Sequence, residues 1–373
     1  MNYLTIMIKP ASALCNMRCK YCFYDNVANL RDIRTFGMMK QDTVEKMLAN
    51  IETDLESGDC LTFAFQGGEP TLAGLEYFQY FVNAVKKWEK NIQVNYAIQT
   101  NAITLNEAWA QFLKRHSFLV GISMDLLQEQ HDAVRVDEHG KGTWKKVLNA
   151  IKLLEEYHVD YNVLCTLTNQ IARHPKKVWN QIKKLRLKYV QFTPCLGGLD
   201  EMEKSINALT PQRFASFYKE IFQYWVADFQ TGKYCSIKLF DDLLYLMETG
   251  RPAACGMIGQ CQPQLIIEAD GSTYPCDFYC LDEYCLGNIN EKGIRELYQL
   301  SFCSSSKERP ALPDRCASCS YMKMCGGNCK RMQKEICCSP GDEFCGYQEF
   351  LNAVIEDLIQ IKRFPFIEQS GKM

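Results

Sequence analysis

The stretch Cys15-Asn16-Met17-Arg18-Cys19-Lys20-Tyr21-Cys22 spaces three cysteines as C-x3-C-x2-C, shortly after an apolar run at Thr5–Lys9. Three thiolates on one loop can hold three irons of a cubane and leave the fourth iron open. A structural zinc ion wants four protein ligands. No histidine follows at ligand spacing, since the five in the chain are His116, His131, His139, His158 and His174. An incomplete cysteine set therefore fits a cluster with one free coordination site better than it fits zinc.

Outward from this loop, short β-like runs alternate with amphipathic ones. Strands are expected at Thr5–Lys9, Leu61–Gln66, Gln93–Gln99, Phe118–Met124, Tyr161–Leu167 and Tyr189–Thr193. Between them, Val44, Met47, Leu48 and Ile51 form one apolar helical stripe, and Trp144, Val147, Ala150, Ile151 and Leu154 form another. Repeated β-then-α units imply parallel strands joined by right-handed crossovers. Six units predict an α/β fold built as a partial (β/α)6 barrel, not the full eight-fold one. Functional residues are then expected at the C-terminal ends of strands, where the cysteine loop falls.

Past residue 195 the pattern changes. Leu196–Pro211 reads as a linker, and Thr210-Pro211 as the N-cap and first position of a helix presenting Phe214, Phe217, Ile221 and Trp225. From about residue 250 cysteines crowd in and periodicity weakens. A hairpin is expected around Asp270-Gly271, and a last helix carries Phe350, Val354, Leu358 and Ile361. We expect two domains, residues 1–230 and 231–373.

Composition narrows the function. Lys and Arg number 42 against 44 Asp and Glu, a net charge of -2, so no electrostatic footprint for nucleic acid or anionic membrane is present. Met1–Lys9 reads as a first strand and not a signal peptide, and no apolar run nears the roughly 20 residues that span a bilayer. A cytoplasmic protein is expected. Twenty cysteines are then too many for an ordinary chain of this size, and disulfide-dense scaffolds are small and secreted. Metal ligation explains them better. Cys60, Cys165, Cys195 and Cys235 lie in or beside apolar runs and read as small core residues.

With Tyr21 and Phe23 beside its last cysteine, the loop resembles the radical S-adenosylmethionine (AdoMet) superfamily. Gln66-Gly67-Gly68-Glu69-Pro70, one βα unit later, is similar to that superfamily's GGE motif, which contacts the AdoMet amino group. The resemblance implies that AdoMet chelates the open iron of a [4Fe–4S] cluster on Cys15, Cys19 and Cys22. It implies cofactor contacts at Tyr21, Gly68, Glu69, Ser123, Arg135 and Leu196. Any one of these alone would read as an ordinary core or surface residue.

The C-terminal array holds Cys255, Cys261, Cys276, Cys316, Cys319, Cys325, Cys329 and Cys345. Cys316-x2-Cys319 by itself would suit a zinc ribbon equally well. The whole spacing resembles the SPASM domain appended to radical AdoMet enzymes that modify peptides and proteins. That resemblance implies two auxiliary [4Fe–4S] clusters, one on Cys255, Cys261, Cys276 and Cys329, the other on Cys316, Cys319, Cys325 and Cys345. With the N-terminal cluster the total is three. Cys280, Cys285, Cys303, Cys337 and Cys338 have no place in the pattern, and one of them can substitute for an assigned ligand.

Across nearly the whole chain the sequence resembles anaerobic sulfatase-maturating enzymes. The likeness runs through Ile8-Lys9-Pro10-Ala11, Cys22-Phe23-Tyr24, Phe65–Gly74, Gln99-Thr100-Asn101, Tyr274-Pro275-Cys276-Asp277-Phe278-Tyr279 and Leu286-Gly287-Asn288-Ile289. It implies oxidation of a Cys or Ser of an unfolded or nascent sulfatase to Cα-formylglycine (3-oxoalanine), fed by a flavodoxin- or ferredoxin-like electron donor. A reduced cluster would cleave AdoMet to a 5′-deoxyadenosyl radical that takes a β-hydrogen. Asp277 would accept the thiol or hydroxyl proton, and an auxiliary cluster the remaining electron. Tyr24 is an aromatic near the radical's path.

Two departures stand out. The family's Ser-Met-Asp-Gly-Pro is Ser123-Met124-Asp125-Leu126-Leu127 here, and its Gln-Thr-Asn-Gly is Gln99-Thr100-Asn101-Ala102. Loss of the turn glycine predicts a changed path for the first of these loops. The alternative reading keeps the machinery and makes the chain a SPASM maturase that crosslinks a ribosomal peptide. Such enzymes often carry an extra N-terminal domain, for which Cys15 lies too near the start.

Overall fold

The computed structural model of the chain describes residues 3–199, 205–306, 311–338 and 342–362. The first half runs β1 (Tyr3–Ile8), α1 (Phe23–Asn29), α2 (Gln41–Asp54), β2 (Cys60–Phe65), α3 (Leu75–Val85), β3 (Gln93–Thr100) and α4 (Glu107–Arg115). It continues through β4 (Leu119–Ser123), α5 (Gln128–Val134), α6 (Trp144–Glu156), β5 (Tyr161–Leu167), α7 (Pro175–Lys184) and β6 (Tyr189–Pro194). Then come α8 (Pro211–Gln230), β7 (Ser236–Ile237), α9 (Lys238–Thr249), β8 (Leu265–Ile267), β9 (Ser272–Tyr274) and β10 (Gly287–Asn288). The last helices are α10 (Ile294–Ser306), α11 (Met322–Cys325), α12 (Gln333–Ile336) and α13 (Gly346–Lys362).

All six expected strands are present, within a residue or two of their sequence limits, and pair in parallel in chain order. They form a partial barrel whose sheet goes further than six. β7 extends it past β6, and on the other side β8 joins β1 in parallel, followed by antiparallel β9 and β10. The result is one ten-stranded sheet, β10-β9-β8-β1-β2-β3-β4-β5-β6-β7. The cysteine-rich half is thus hydrogen-bonded to the first barrel strand, and residues near Cys276 sit beside the loop that follows β1.

The strands alternate: the face the helices cover is apolar and buried, as at Leu61, Phe63 and Phe65 of β2, while the residues between, such as Thr62 and Ala64, are half-buried. Phe63, Phe65, Phe78, Phe81 and Phe118 are buried between β2, the start of β4 and α3, and the Phe65 ring meets Phe78 edge-on with centroids 4.9 Å apart. α8 begins as its sequence implies: Thr210 caps it by accepting from Arg213 N at 3.3 Å, and Pro211 occupies the first turn. Phe214 and Tyr218 of α8 pack on Phe350 of α13, with centroids 6.0 and 5.6 Å apart. The last helix therefore packs on α8, and its Phe350 also stacks on Phe240 of α9.

The β8–β9 hairpin turns at Gly271, whose φ of +94° suits glycine. Leu126, where the family's turn glycine is missing, has no left-handed φ and is wholly buried. No glycine is needed there, and the lost turn is replaced by a packed leucine. The other departure behaves differently: Ala102 is held at φ +65°. Cys60, Cys165 and Cys195 are buried and Cys235 is half-buried, in keeping with small core residues. Part of the Leu196–Pro211 linker and the side chain of Cys303 lie outside the described residues.

Candidate active site

The cysteine loop leaves β1 and is stitched down on two sides. Arg18 N and Lys20 N donate to Val136 and Val134 carbonyls at 2.7 and 3.0 Å, and Met17 pairs with Asp137 in an isolated bridge. Gly68 N and Glu69 N donate to Ser12 and Leu14 carbonyls, each at 2.8 Å. Gly68 allows that approach, because a Cβ there would lie 2.1 Å from the Leu14 carbonyl oxygen. Cys22 caps α1, and the Cys15 sulfur accepts from Met17 N at 3.4 Å. Burial pushes the Cys15 thiol up to about 12 and the Cys19 thiol up to about 11. Metal binding at these sulfurs must therefore displace protons.

Glu69 is buried and its carboxylate is held by the protein. Oε1 accepts from Thr71 N (3.1 Å), Thr71 Oγ1 (2.6 Å) and Thr100 Oγ1 (2.7 Å), and Oε2 from Asn101 N (2.7 Å). These bonds lock the ends of β2 and β3 together. Asn101 in turn donates to Asn16 Oδ1 at 2.8 Å, which ties the second glycine-motif neighbour back to the cysteine loop. Ser123, at the end of β4, accepts from Gln99 Nε2 at 3.0 Å. Leu196 is buried just past β6.

Tyr21 and Arg135 meet on Asp125, which the sequence reading did not select. Arg135 Nε lies 3.3 Å from Asp125 Oδ1, the Tyr21 hydroxyl donates to Oδ2, and the guanidinium covers the Tyr21 ring at 5.3 Å. Arg135 also donates to Thr166 Oγ1 at 3.2 Å and bonds the Cys19 sulfur. The carboxylate is anchored from behind by Thr166 N at 3.1 Å, while Asp125 N donates to His131 Nδ1 at 3.2 Å. Burial, then the Arg135 charge, drives the His131 pKa down to about 3, so its ring is a neutral acceptor. The Asp of Ser-Met-Asp could have been found as a charge at a strand end.

Asp277 faces the barrel. Its Oδ1 is 2.6 Å from Lys9 Nζ, at the end of β1, and its Oδ2 accepts from Gln66 Nε2 at 2.9 Å, at the end of β2. Lys9 is wholly buried, with its ammonium 3.4 Å from the centroid of the Tyr24 ring. The Tyr24 hydroxyl donates to Glu268, which also takes Arg31 Nη1 at 2.8 Å. Burial alone would lower the Lys9 pKa; Asp277, Cys280, Tyr24 and Glu268 outweigh it and hold the ammonium protonated. Two cations thus balance two carboxylates. Sequence reading gave Lys9, Gln66, Arg31 and Glu268 no role.

The C-terminal cysteines gather in two places. Cys255, Cys261, Cys276 and Cys329 line a cavity of about 150 Å³, together with Asp277, Phe278 and Tyr279. Gly256 lets two loops approach there: a Cβ would lie 2.6 Å from Cys329 Cβ. Cys316, Cys319, Cys325 and Cys345 line a second cavity of about 20 Å³, joined by Cys337 and Cys338. Both expected sets of four are therefore brought together. Cys280 is buried beside Asp277, and Cys285 is exposed. Among the described residues, no three His, Cys, Asp or Glu side chains converge on a point fit for a single metal ion. All-thiol groups of four suit iron–sulfur clusters. The donor sets fit such clusters, the N-terminal one with three thiols.

Comparison with known proteins agrees with this geometry. Residues 10–185 match the family model of the radical SAM superfamily, and residues 255–320 that of the SPASM iron–sulfur cluster-binding domain. The chain is 42% identical over 334 residues to the cysteine-type anaerobic sulfatase-maturating enzyme of Clostridium novyi (strain NT), covering 89% of each. It is 28% identical to a serine-type anaerobic sulfatase-maturating enzyme of Bacteroides thetaiotaomicron, covering 94% of this chain and 89% of that one. Among solved structures, native anSMEcpe with bound AdoMet superimposes with a TM-score of 0.88 at 36% identity, over 96% of this chain and 99% of that one. The same protein with AdoMet and the Cp18Cys peptide gives 0.85.

Proposed function

The chain belongs to the anaerobic sulfatase-maturating enzymes of the radical AdoMet superfamily, and from that membership we propose how its own residues serve the reaction. The enzyme oxidises a residue of a sulfatase polypeptide to Cα-formylglycine, using AdoMet and [4Fe–4S] clusters. Its target residue is cysteine: identity to the cysteine-type enzyme is 42%, against 28% to the serine-type one. No helix among the described residues is long and apolar enough to cross a membrane. The need of an open-iron cluster for a reducing compartment supports the cytoplasm as the site of the reaction and a flavodoxin- or ferredoxin-like donor.

When bound, AdoMet and the clusters supply the hydrogen-atom acceptor and the path for electrons. Cys15, Cys19 and Cys22 hold the first cluster. Tyr21, Gly68, Glu69, Ser123, Arg135 and Leu196 shape the AdoMet site. Within it, Glu69 and Asp125 also fix the loops that carry the contacts, because protein donors hold both carboxylates in place. Cys255, Cys261, Cys276 and Cys329 hold one auxiliary cluster, and Cys316, Cys319, Cys325 and Cys345 the other.

Asp277 is the base that takes the thiol proton. The observation that carries this role is its position: it lines the Cys276 cavity and also touches Lys9 and Gln66 at the mouths of β1 and β2. A carboxylate there reaches substrate lying between the barrel and the auxiliary cluster. Lys9 and Gln66 each hold one oxygen and fix the carboxylate plane, so accepting a proton requires one of these contacts to loosen.

Anaerobic incubation with AdoMet, reductant and sulfatase-motif peptides tests the reading. A mass loss of about 18 Da from the Cys peptide is expected, with little of the loss of about 2 Da from the Ser peptide, as cofactor-driven formylglycine formation requires. Equal turnover of both peptides would remove the cysteine assignment. 5′-Deoxyadenosine formed only with crosslink-type peptides would remove the sulfatase reading.

A further inference from the structure

The smaller C-terminal cavity has two sulfurs more than a cubane takes. Cys316, Cys319, Cys325, Cys337, Cys338 and Cys345 all line it, and a [4Fe–4S] cluster binds four thiolates. Cys337 lies among the expected ligands. Asn328 Nδ2 donates to Cys325 Sγ at 3.2 Å and to Cys337 Sγ at 3.5 Å, so one amide bridges both sulfurs. The Cys337 thiol is also in hydrogen-bond contact with Cys325 and Cys345.

The main chain ties the last pair together. Gly346 N donates to the Cys337 carbonyl at 3.0 Å, which fixes the start of α13, and with it Cys345, to the end of α12. Cys337 is 3% exposed and sits where a buried small hydrophobe would be unremarkable, except that its polar neighbours are cluster cysteines. Cys338 is in hydrogen-bond contact with Cys345.

Resting on the cluster reading above, we propose that Cys337 is an exchangeable ligand of this auxiliary cluster. The site then binds its cluster through Cys316, Cys319, Cys325 and either Cys345 or Cys337. In the exchange one iron–sulfur bond breaks and another forms at the same iron. The Cys337 thiol proton passes to the released Cys345 sulfur, so charge and oxidation state are unchanged.

The test counts iron and acid-labile sulfide in the anaerobically reconstituted full chain. Wild type, Cys345→Ala and Cys337→Ala are each expected to hold about twelve irons, and the Cys337→Ala/Cys345→Ala double variant about eight. About eight in Cys345→Ala alone would overturn the exchange, and about twelve in the double variant would show that another residue, such as Cys338, supplies the ligand. A wild type far below twelve irons would instead defeat the cluster reading itself. Should Cys345→Ala not fold, Cys345→Ser takes its place. It must keep about twelve irons and drop to about eight when Cys337→Ala is added; retention there would mean that serine binds iron and that Cys337 is not needed.

Discussion

Lys9 and Asp277 stand far apart in the sequence and form a 2.6 Å ion pair at the mouth of the barrel. β8 makes the pair possible by adding itself to β1, with Ile8 opposite Ile267. The chain then turns through β9 and delivers Cys276 and Asp277 to the strand end that Lys9 closes. One residue thus belongs both to the AdoMet barrel and to the auxiliary cluster.

Asp277→Asn keeps the shape and the Gln66 contact but cannot take a proton as a carboxylate does. We expect about twelve irons retained, AdoMet binding unchanged, and aldehyde formation down by roughly 10²–10⁴-fold, the usual worth of a general base. Peptide mass spectrometry beside iron analysis reads both. Turnover at the wild-type rate would remove Asp277 as the base.

Lys9→Met leaves Asp277 beside an apolar wall with its charge uncompensated. Breaking a buried pair from one side costs about 3–5 kcal/mol. In the Lys9→Met/Asp277→Asn double variant the stranded charge is gone, so at least about 1 kcal/mol should return. Anaerobic urea titration of the four proteins measures the coupling. Strict additivity would mean that the pair does not interact energetically.

Ala102 occupies the left-handed region, which costs an ordinary residue about 1–2 kcal/mol. Ala102→Gly removes that strain, loses about 0.5–1 kcal/mol to chain entropy and about 0.8 kcal/mol from the buried methyl. The sum is near zero. A thermal midpoint within a few degrees of wild type is expected, and a loss above about 2 kcal/mol would contradict the strain account.

His131 has its pKa drawn from 6.5 to about 3, first by burial and then by Arg135. The unfolded chain therefore binds a proton that the folded chain refuses between these values. The stability is complete above about pH 6.5 and falls as pH drops toward 3. Melting curves across this window should show His131→Asn, which keeps an acceptor for Asp125 N, losing less on acidification by up to a few kcal/mol. Identical slopes would rule the histidine out as a source of acid lability.

The periodicity of the strands was enough to predict the barrel and its strand limits, and the cysteine spacing drew attention to the loops that the structure gathers around two cavities. Such signals are local: alternation, helical stripes and C-x3-C-x2-C are visible within a few turns of chain. Asp125 shows what local reading misses. In sequence it is one acid in a changed motif, and only the approach of β4, β5 and the Arg135 segment places Tyr21, Arg135 and Thr166 around it. Glu69 was legible as a motif residue, but its contacts with Thr71, Thr100 and Asn101, which tie the ends of β2 and β3, were not.

By itself, then, the sequence determined the class of chemistry, because thiolate count and spacing constrain what metal a loop can hold. Through hydrophobic period it also determined that strands alternate with helices and so run parallel. Tertiary structure alone decided that the two halves share one sheet, that Asp277 is held by Lys9 and Gln66, and that six cysteines face one cluster cavity. These are contacts between residues far apart in the chain. Their energies come from desolvated charge pairs and close-packed sulfur, which exist only once the surrounding core has excluded water.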